Sequence, residues 1–229
     1  MAQRPIFLPS NSENNLVDSI TIDFLWHPGL SKSQKQKSIR SLHESANKKT
    51  QKELSILEIS SKSEKTLGVS LSAFNLMHIT PDGNETSVET LFQGGKVFKK
   101  GGPFTDLYDK PSRDAKKDER LFNSGELIEF RYGDKIWPLQ PKTAFYDWLY
   151  VSALYSKKLL AEKLMEYDGF SDIEFNPAKS INCQAFSAAL YKSLNQRNML
   201  EEALSSQKTF LDIYRAEKVK NVPTQINLF

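Results

Sequence analysis

Cysteine is nearly absent: Cys183 is the one in 229 residues, so no intrachain disulfide can form and nothing points to an oxidising compartment. With no histidine beside it, that thiol reads as a small buried apolar residue rather than a nucleophile. Histidine is scarce too. His27, His43 and His78 share no ligand spacing with one another or with Cys183, which argues against a metal centre. Long apolar runs are missing. Ile6-Phe7-Leu8 is far too short for a signal-peptide core, and no stretch approaches the roughly 20 apolar residues of a membrane span. A cytoplasmic location without membrane attachment is the expectation. Also missing are a Gly-x-Gly-x-x-Gly turn after a strand, a phosphate-binding Lys-Ser/Thr loop and a Gly-x-Ser-x-Gly elbow. Dinucleotide-fold, P-loop and serine-hydrolase chemistry therefore have no support, and no resident cofactor is expected.

What is present is an ordinary globular composition, 39% hydrophobic and 26% charged, in a chain long enough to bury a substantial core. The net charge of +3 is too small to announce a nucleic-acid binder. Its distribution is uneven: residues 31–65 carry nine Lys and Arg against four Glu. Such a surface can track a phosphate backbone, or it can be the solvated face of a helix.

Ile20, Ile22, Phe24 and Trp26 alternate with Thr21, Asp23 and Leu25, the period of a half-buried strand that His27-Pro28-Gly29 ends. Ser31 is a helix N-cap candidate, with Ile39, Leu42 and Ala46 on one side of a helix reaching about Lys49. A strand is expected at about 53–60 and a turn at Thr80-Pro81-Asp82-Gly83-Asn84. Helices are expected at 88–98, 112–122, 143–167, 181–196 and 199–216, with short strands near 127–131 and 136–139. The sum is a mainly α, α+β protein with a few short strands. We divide it into an N-terminal strand-helix-strand extension (1–65) packed on a core (66–216), with a C-terminal tail (217–229).

Three clusters carry candidate chemistry. On the 88–98 helix, Glu89, Phe92, Gln93 and Lys96 fall at i, i+3, i+4 and i+7, one stripe. The adjacent Gly94-Gly95 costs about 1 kcal/mol per glycine in a helix, which hints at close approach by a sugar or phosphate. The bland alternative is an exposed helix with a solvated face. The loop from Phe170 to Asn182 offers Asp172, Glu174, Asn176 and Asn182 just before a helix; anion binding and simple turn chemistry read equally well there. Ser72-Ala73-Phe74-Asn75 is a weaker third cluster.

These residues resemble the NADAR family. Leu71-Ser72-Ala73-Phe74 followed by Ser87-x-Glu89-x-x-Phe92-Gln93-x-x-Lys96 is similar to that family's paired signature. Ala115-Lys116-Lys117 and Ile181-Asn182 fall where the family has a basic segment and a Lys-Asn pair. From about residue 3 to 213 the chain further resembles the NADAR antitoxins associated with DarT-type toxins. The segments that carry this likeness are Arg4-Pro5, Phe24-x-Trp26, Pro28-Gly29, Gln34-Lys35, Leu57-Glu58-Ile59-Ser60-Ser61-Lys62-Ser63, Gly101-Gly102-Pro103-Phe104 and Phe175-Asn176-Pro177. The resemblance implies an N-glycosidase that removes ADP-ribose from guanine in DNA, releasing ADP-ribose and opposing a DarT-type ADP-ribosyltransferase. It implies Glu89, Lys96 and one of Asp172 or Glu174 as catalytic residues. The substrate would be bound by Ser72, Phe74, Asn75, Gln93, Asn176 and Asn182, with Gly101, Gly102 and Arg113 at the diphosphate and Phe145 or Trp148 in the place of a family tryptophan. Two other readings are a glycosidase acting on a small riboflavin-pathway-like metabolite and a non-catalytic antitoxin that binds its toxin.

Overall fold

The computed structural model describes residues 1–12, 15–80, 82–178 and 180–216. The expected tail at 217–229, together with Pro81 and Lys179 of the loops above, lies outside them. In chain order the elements are β1 (Ala2–Pro9), β2 (Val17–Phe24), α1 (Lys32–Thr50), β3 (Ile56–Glu58), α2 (Thr66–Ser70), β4 (Met77–Ile79), β5 (Glu85–Ser87), α3 (Val88–Gly94) and β6 (Lys96–Phe98). A 3-10 turn at Thr105–Asp109 leads to α4 (Ser112–Ala115), α5 (Arg120–Asn123), β7 (Leu127–Tyr132) and β8 (Lys135–Trp137). Then come α6 (Ala144–Ser156), α7 (Lys158–Leu164), β9 (Gly169–Ser171), α8 (Gln184–Gln196), α9 (Leu200–Ser205) and α10 (Gln207–Ala216). The protein is α+β and mainly helical, as its periodicity indicates. No helix among the described residues is long and apolar enough to cross a membrane.

The main sheet has the order β2-β1-β9-β3; β1 runs antiparallel to both neighbours, and β3 lies parallel to β9. β1 and β3 are buried on both faces. Ile6 and Ile56 join Ile22, Phe24, Ile39, Leu42 and Ala46 beneath α1, whereas Phe7, Leu57 and Phe170 enter the larger core on the other side. A strand covered on both sides carries consecutive apolar residues and loses the period-2 signal. That is why β1 is not evident in the sequence. The larger core is built round α6, where Phe145, Leu149, Tyr150 and Val151 are buried with Trp137 and Phe210. Each such side chain removed from water contributes about 1.5–3 kcal/mol. Arg197, at the end of α8, donates to the carbonyls of Ser10, Ser12 and Asn15 at 2.7, 2.7 and 2.6 Å, tying the first strands to the last helices.

α1 forms where its signals lie. The Ser31 hydroxyl accepts from the Gln34 amide, Ile39, Leu42 and Ala46 face inward, and Lys48 and Lys49 occupy the last turn. Five expected elements differ. The 112–122 helix divides into α4 and α5, and the 199–216 helix divides at Ser206 into α9 and α10. The 143–167 helix breaks at Lys157 (φ −108°, ψ 66°) into α6 and α7; there Ser156 Oγ bonds back to the Ala153 carbonyl at 2.7 Å. The loop after Asp168 contains a strand, β9. The end of the 88–98 helix bears on the site and is taken up with it.

Candidate active site

Ser87 caps α3 by accepting from the Thr90 amide at 3.1 Å, and every residue from Val88 to Gly94 is buried. The exposed-helix alternative is therefore excluded. Helix α3 stops at Gly94, so Lys96 stands on strand β6 rather than on the helical stripe. The two glycines explain the stop. A side chain at Gly94 would meet the Tyr108 ring at 2.5 Å, and one at Gly95 would meet the Arg131 carbonyl oxygen at 2.7 Å. Close approach is indeed what they permit, but by the protein's own Tyr108 and β7, not by a sugar or phosphate.

The polar residues of α3 nonetheless converge with Lys96. Gln93 Nε2 donates to Glu89 Oε1 at 2.9 Å, and Lys96 Nζ donates to Gln93 Oε1 at 2.7 Å. Lys116 Nζ lies 3.1 Å from the same Glu89 oxygen. The Glu89 side chain is only 6% exposed and that of Lys116 is 54% exposed. The lysine thus links a buried carboxylate to solvent. Burial lowers the Lys96 ammonium to about 8, with Glu89 opposing the shift and Lys116 adding to it. Lys96 Nζ also sits 4.9 Å over the Phe92 ring.

Lys116 belongs to the wall of a cleft of about 890 Å³. Ser60, Ser61 and Lys62 line it after β3, and Ser72, Phe74 and Asn75 after α2; Arg113, Asp114, Lys116 and Lys117 come from the α4 segment. Glu174 and Gln184 close it. Four cations face two acids, so the cleft is electropositive and suited to an anion. Phe74 presents a ring with Lys116 Nζ 5.1 Å above it. Asn75 is held by its amide donating to the Val69 carbonyl at 2.8 Å. Of the basic segment 31–65, Lys62 reaches the cleft and Lys35 grips Glu174 at 3.0 Å.

The two candidate loop carboxylates differ sharply. Glu174 is 44% exposed and ion-paired. Asp172 is buried and accepts the Glu174 and Phe175 amides on Oδ1 at 3.0 and 3.2 Å. Burial first, then the neighbouring Glu58, pushes its carboxyl up to about 8. Glu58 is buried as well, and burial raises it too. No residue-pattern signal singles out Glu58, which sits in an apolar strand far from Asp172 in sequence. Gln184, also missed as a site residue, accepts from the Ala73 amide and donates to the Ile59 carbonyl, each at 2.7 Å. It thereby pins the floor of the cleft. Burial raises the Tyr146 hydroxyl well above its ordinary value, and Glu89 and Asp172 both add to that shift.

Other expected site residues lie elsewhere. Trp148 packs among Trp137, Tyr132 and His78, with ring centroids 5.0–6.0 Å away, and Phe145 is fully buried beside it. Neither lines the cleft, because α6 turns this aromatic face toward β7 and β8. Gly101 and Gly102 lie behind Lys96; Gly102 has φ +95°, and a side chain there would meet the Lys96 carbonyl oxygen at 2.3 Å. Asn176 closes an Asx turn by accepting the Ala178 amide at 3.0 Å. Asn182 has a buried Oδ1 without a hydrogen-bond partner beside Cys183, whose thiol burial pushes well up.

A comparison with curated proteins finds no match. A family profile for the DarT1-associated NADAR antitoxin matches residues 2–224, nearly the whole chain. The chain that builds this basic cleft over buried Glu89, Gln93 and Lys96 belongs to the DarT1-associated NADAR antitoxin family.

Proposed function

We propose that this protein is an N-glycosidase that hydrolyses ADP-ribose from guanine in DNA, reversing the modification made by a DarT-type toxin. The observation that carries the reading is the link from the electropositive cleft to the buried carboxylate: Lys116 lines the one and pairs with the other. A diphosphate held by Lys62, Arg113, Lys116 and Lys117 places its ribose beside Glu89. Rupture of the C1′–N bond leaves its electron pair on the leaving nitrogen, which needs a proton, and leaves cationic charge on the anomeric carbon. Glu89 stabilises that charge and orients the attacking water, while Gln93 and Lys96 fix its geometry. Asp172 supplies the proton, because its buried carboxyl is the acid that remains protonated near neutrality. Ion-paired Glu174 is already engaged as an anion. Activity is therefore expected to fall above about pH 8, where Asp172 and Lys96 both lose their protons.

The lowered Lys96 ammonium favours a second reading, in which the amine attacks C1′ of the ring-opened N-glycoside, the guanine nitrogen takes a proton and leaves, and water then hydrolyses the lysine imine. Borohydride added during turnover distinguishes the two. We expect no ADP-ribose-sized mass gain on Lys96, since Nζ is committed to Gln93; a trapped adduct makes Lys96 the nucleophile.

Lys62 brings the basic segment 31–65 to the cleft, and on this reading the segment's other cations follow the DNA backbone. If two or three phosphates are engaged, KM for the modified oligonucleotide rises about 7- to 18-fold between about 50 and about 200 mM salt, at ~0.7 per phosphate on the logarithmic scale. A KM indifferent to salt removes DNA tracking from the proposal and favours a small metabolite. A non-catalytic antitoxin binding its toxin would still protect cells after Glu89→Gln; the enzyme proposed here would not.

A further inference from the structure

The buried acid pair beneath the cleft has a polarity that hydrogen bonding decides. Glu58 Oε1 accepts from Ser60 Oγ at 2.7 Å and from the Ile173 amide at 2.9 Å, and Oε2 accepts from Ser171 Oγ. His43 Nε2 lies 2.8 Å from Ser171 Oγ. With Glu58 ionised, Ser171 gives its one proton to Glu58 and the imidazole donates to Ser171 from Nε2. The chain His43 to Ser171 to Glu58 runs in one direction, toward the carboxylate. Burial keeps His43 neutral, lowering it to about 4, with Lys65 acting the same way. Three donors on Glu58, one of them backed by His43, select its anionic form. Asp172 receives two amides, both on Oδ1, and a weaker contribution from the Gln184 side chain, with no serine hydroxyl among the described residues directed at it. Its proton belongs on Oδ2.

We propose that Glu58 is a positioning residue: the buried pair holds a single proton, and ionised Glu58 keeps that proton on Asp172 for delivery to the leaving nitrogen. This rests on the glycosidase reading above. The transfer balances within the pair and the substrate. The Asp172 O–H bond breaks as the leaving nitrogen takes the proton, and deprotonation of the attacking water returns one to Asp172. Both acids belong to the main sheet, Glu58 ending β3 and Asp172 following β9. The N-terminal strands are thereby given a part in the chemistry as well as in packing.

Other charged and titratable groups face the pair. Arg4 on β1 favours ionised Asp172, and Glu174 disfavours ionisation of Glu58. Tyr146 and Tyr150 on α6 and Cys183 before α8 also lie near Asp172, all three held neutral by burial. Arg4 is the opposing charge on Asp172, so removing Glu58 should tip Asp172 toward its anion.

The test is a ¹³C-carboxyl titration of the full chain labelled at aspartate, with Asp172→Asn to assign the signal and separate it from buried Asp147. One aspartate should titrate near pH 8 and vanish in Asp172→Asn. In Glu58→Gln that midpoint should fall by at least about one pH unit. The alkaline limb of kcat/KM on ADP-ribosylated oligonucleotide should fall with it, while the dissociation constant for ADP-ribose changes less than twofold. Ser60→Ala serves if Glu58→Gln does not fold: losing a donor moves the shared proton toward Glu58 and lowers the Asp172 midpoint in the same direction. An unmoved midpoint overturns the proposal, as does a Glu58→Gln activity loss uniform across pH. A native chain that titrates as described but hydrolyses nothing leaves the acid pair standing and removes the glycosidase reading.

Discussion

Glu89→Gln is expected to cut kcat for ADP-ribose release by about 10³-fold, roughly 4 kcal/mol of transition-state stabilisation, and to leave KM within a few-fold of native. The substitution keeps side-chain shape and can still accept from Gln93, so circular dichroism and thermal unfolding should be nearly unchanged. What it removes is the negative charge beside the anomeric carbon, which matters only as cationic character develops there. Glu89 is buried, with Gln93 and Lys116 both directed at Oε1. Water cannot substitute for its charge. Single-turnover kinetics on modified oligonucleotide gives the answer, and activity within threefold of native would take Glu89 out of the mechanism.

Asp172→Asn should lower kcat by about 10²- to 10⁴-fold, the usual contribution of a positioned general acid, and at the same time stabilise the fold. The folded chain holds the Asp172 proton up to about pH 8, whereas an unfolded carboxyl releases it near its ordinary value of 3.8. Stability linked to this group is therefore full below the carboxylate range. It declines as pH rises, and the whole of it is lost once pH exceeds about 8. Asparagine has no proton to lose, and its amide oxygen can accept the Glu174 and Phe175 amides as Asp172 Oδ1 does. At pH 8 we expect about 5 kcal/mol of added stability, at ~1.36 kcal/mol for each of the roughly four pH units between the two values, a rise in Tm on the order of 10–20 °C, shrinking toward zero near pH 4. Calorimetry across that range checks it. A variant destabilised at pH 8 would mean that Asp172 is an ionised structural residue.

Local signals and long-range contacts divide what was legible in the sequence. α1 could be read from Ser31, its apolar stripe and its terminal lysines, because cap and periodicity lie within one helix. Glu89 and Gln93 could be paired from their i, i+4 spacing, and the structure joins them by a hydrogen bond. The end of α3 could not be placed, since it depends on Tyr108 and the Arg131 carbonyl meeting Gly94 and Gly95 from elsewhere in the chain. β1 was hidden by burial on both faces, and β9 by being three residues inside a polar loop. Glu58 escaped for the same reason. Its chemistry appears only when β9 returns to pair with β3, bringing Asp172 to it across more than a hundred residues. Trp148 shows the converse: a prominent aromatic suited to stacking on a base is drawn into a cluster with Trp137, Tyr132 and His78.

The most direct test of the central claim is incubation of the purified full chain with a DNA oligonucleotide carrying ADP-ribose on one guanine, with both products followed by chromatography. The expected result is free ADP-ribose and unmodified oligonucleotide in equal amounts, over many turnovers per protein molecule, lost in Glu89→Gln. Folded protein that leaves the modified oligonucleotide intact would contradict it.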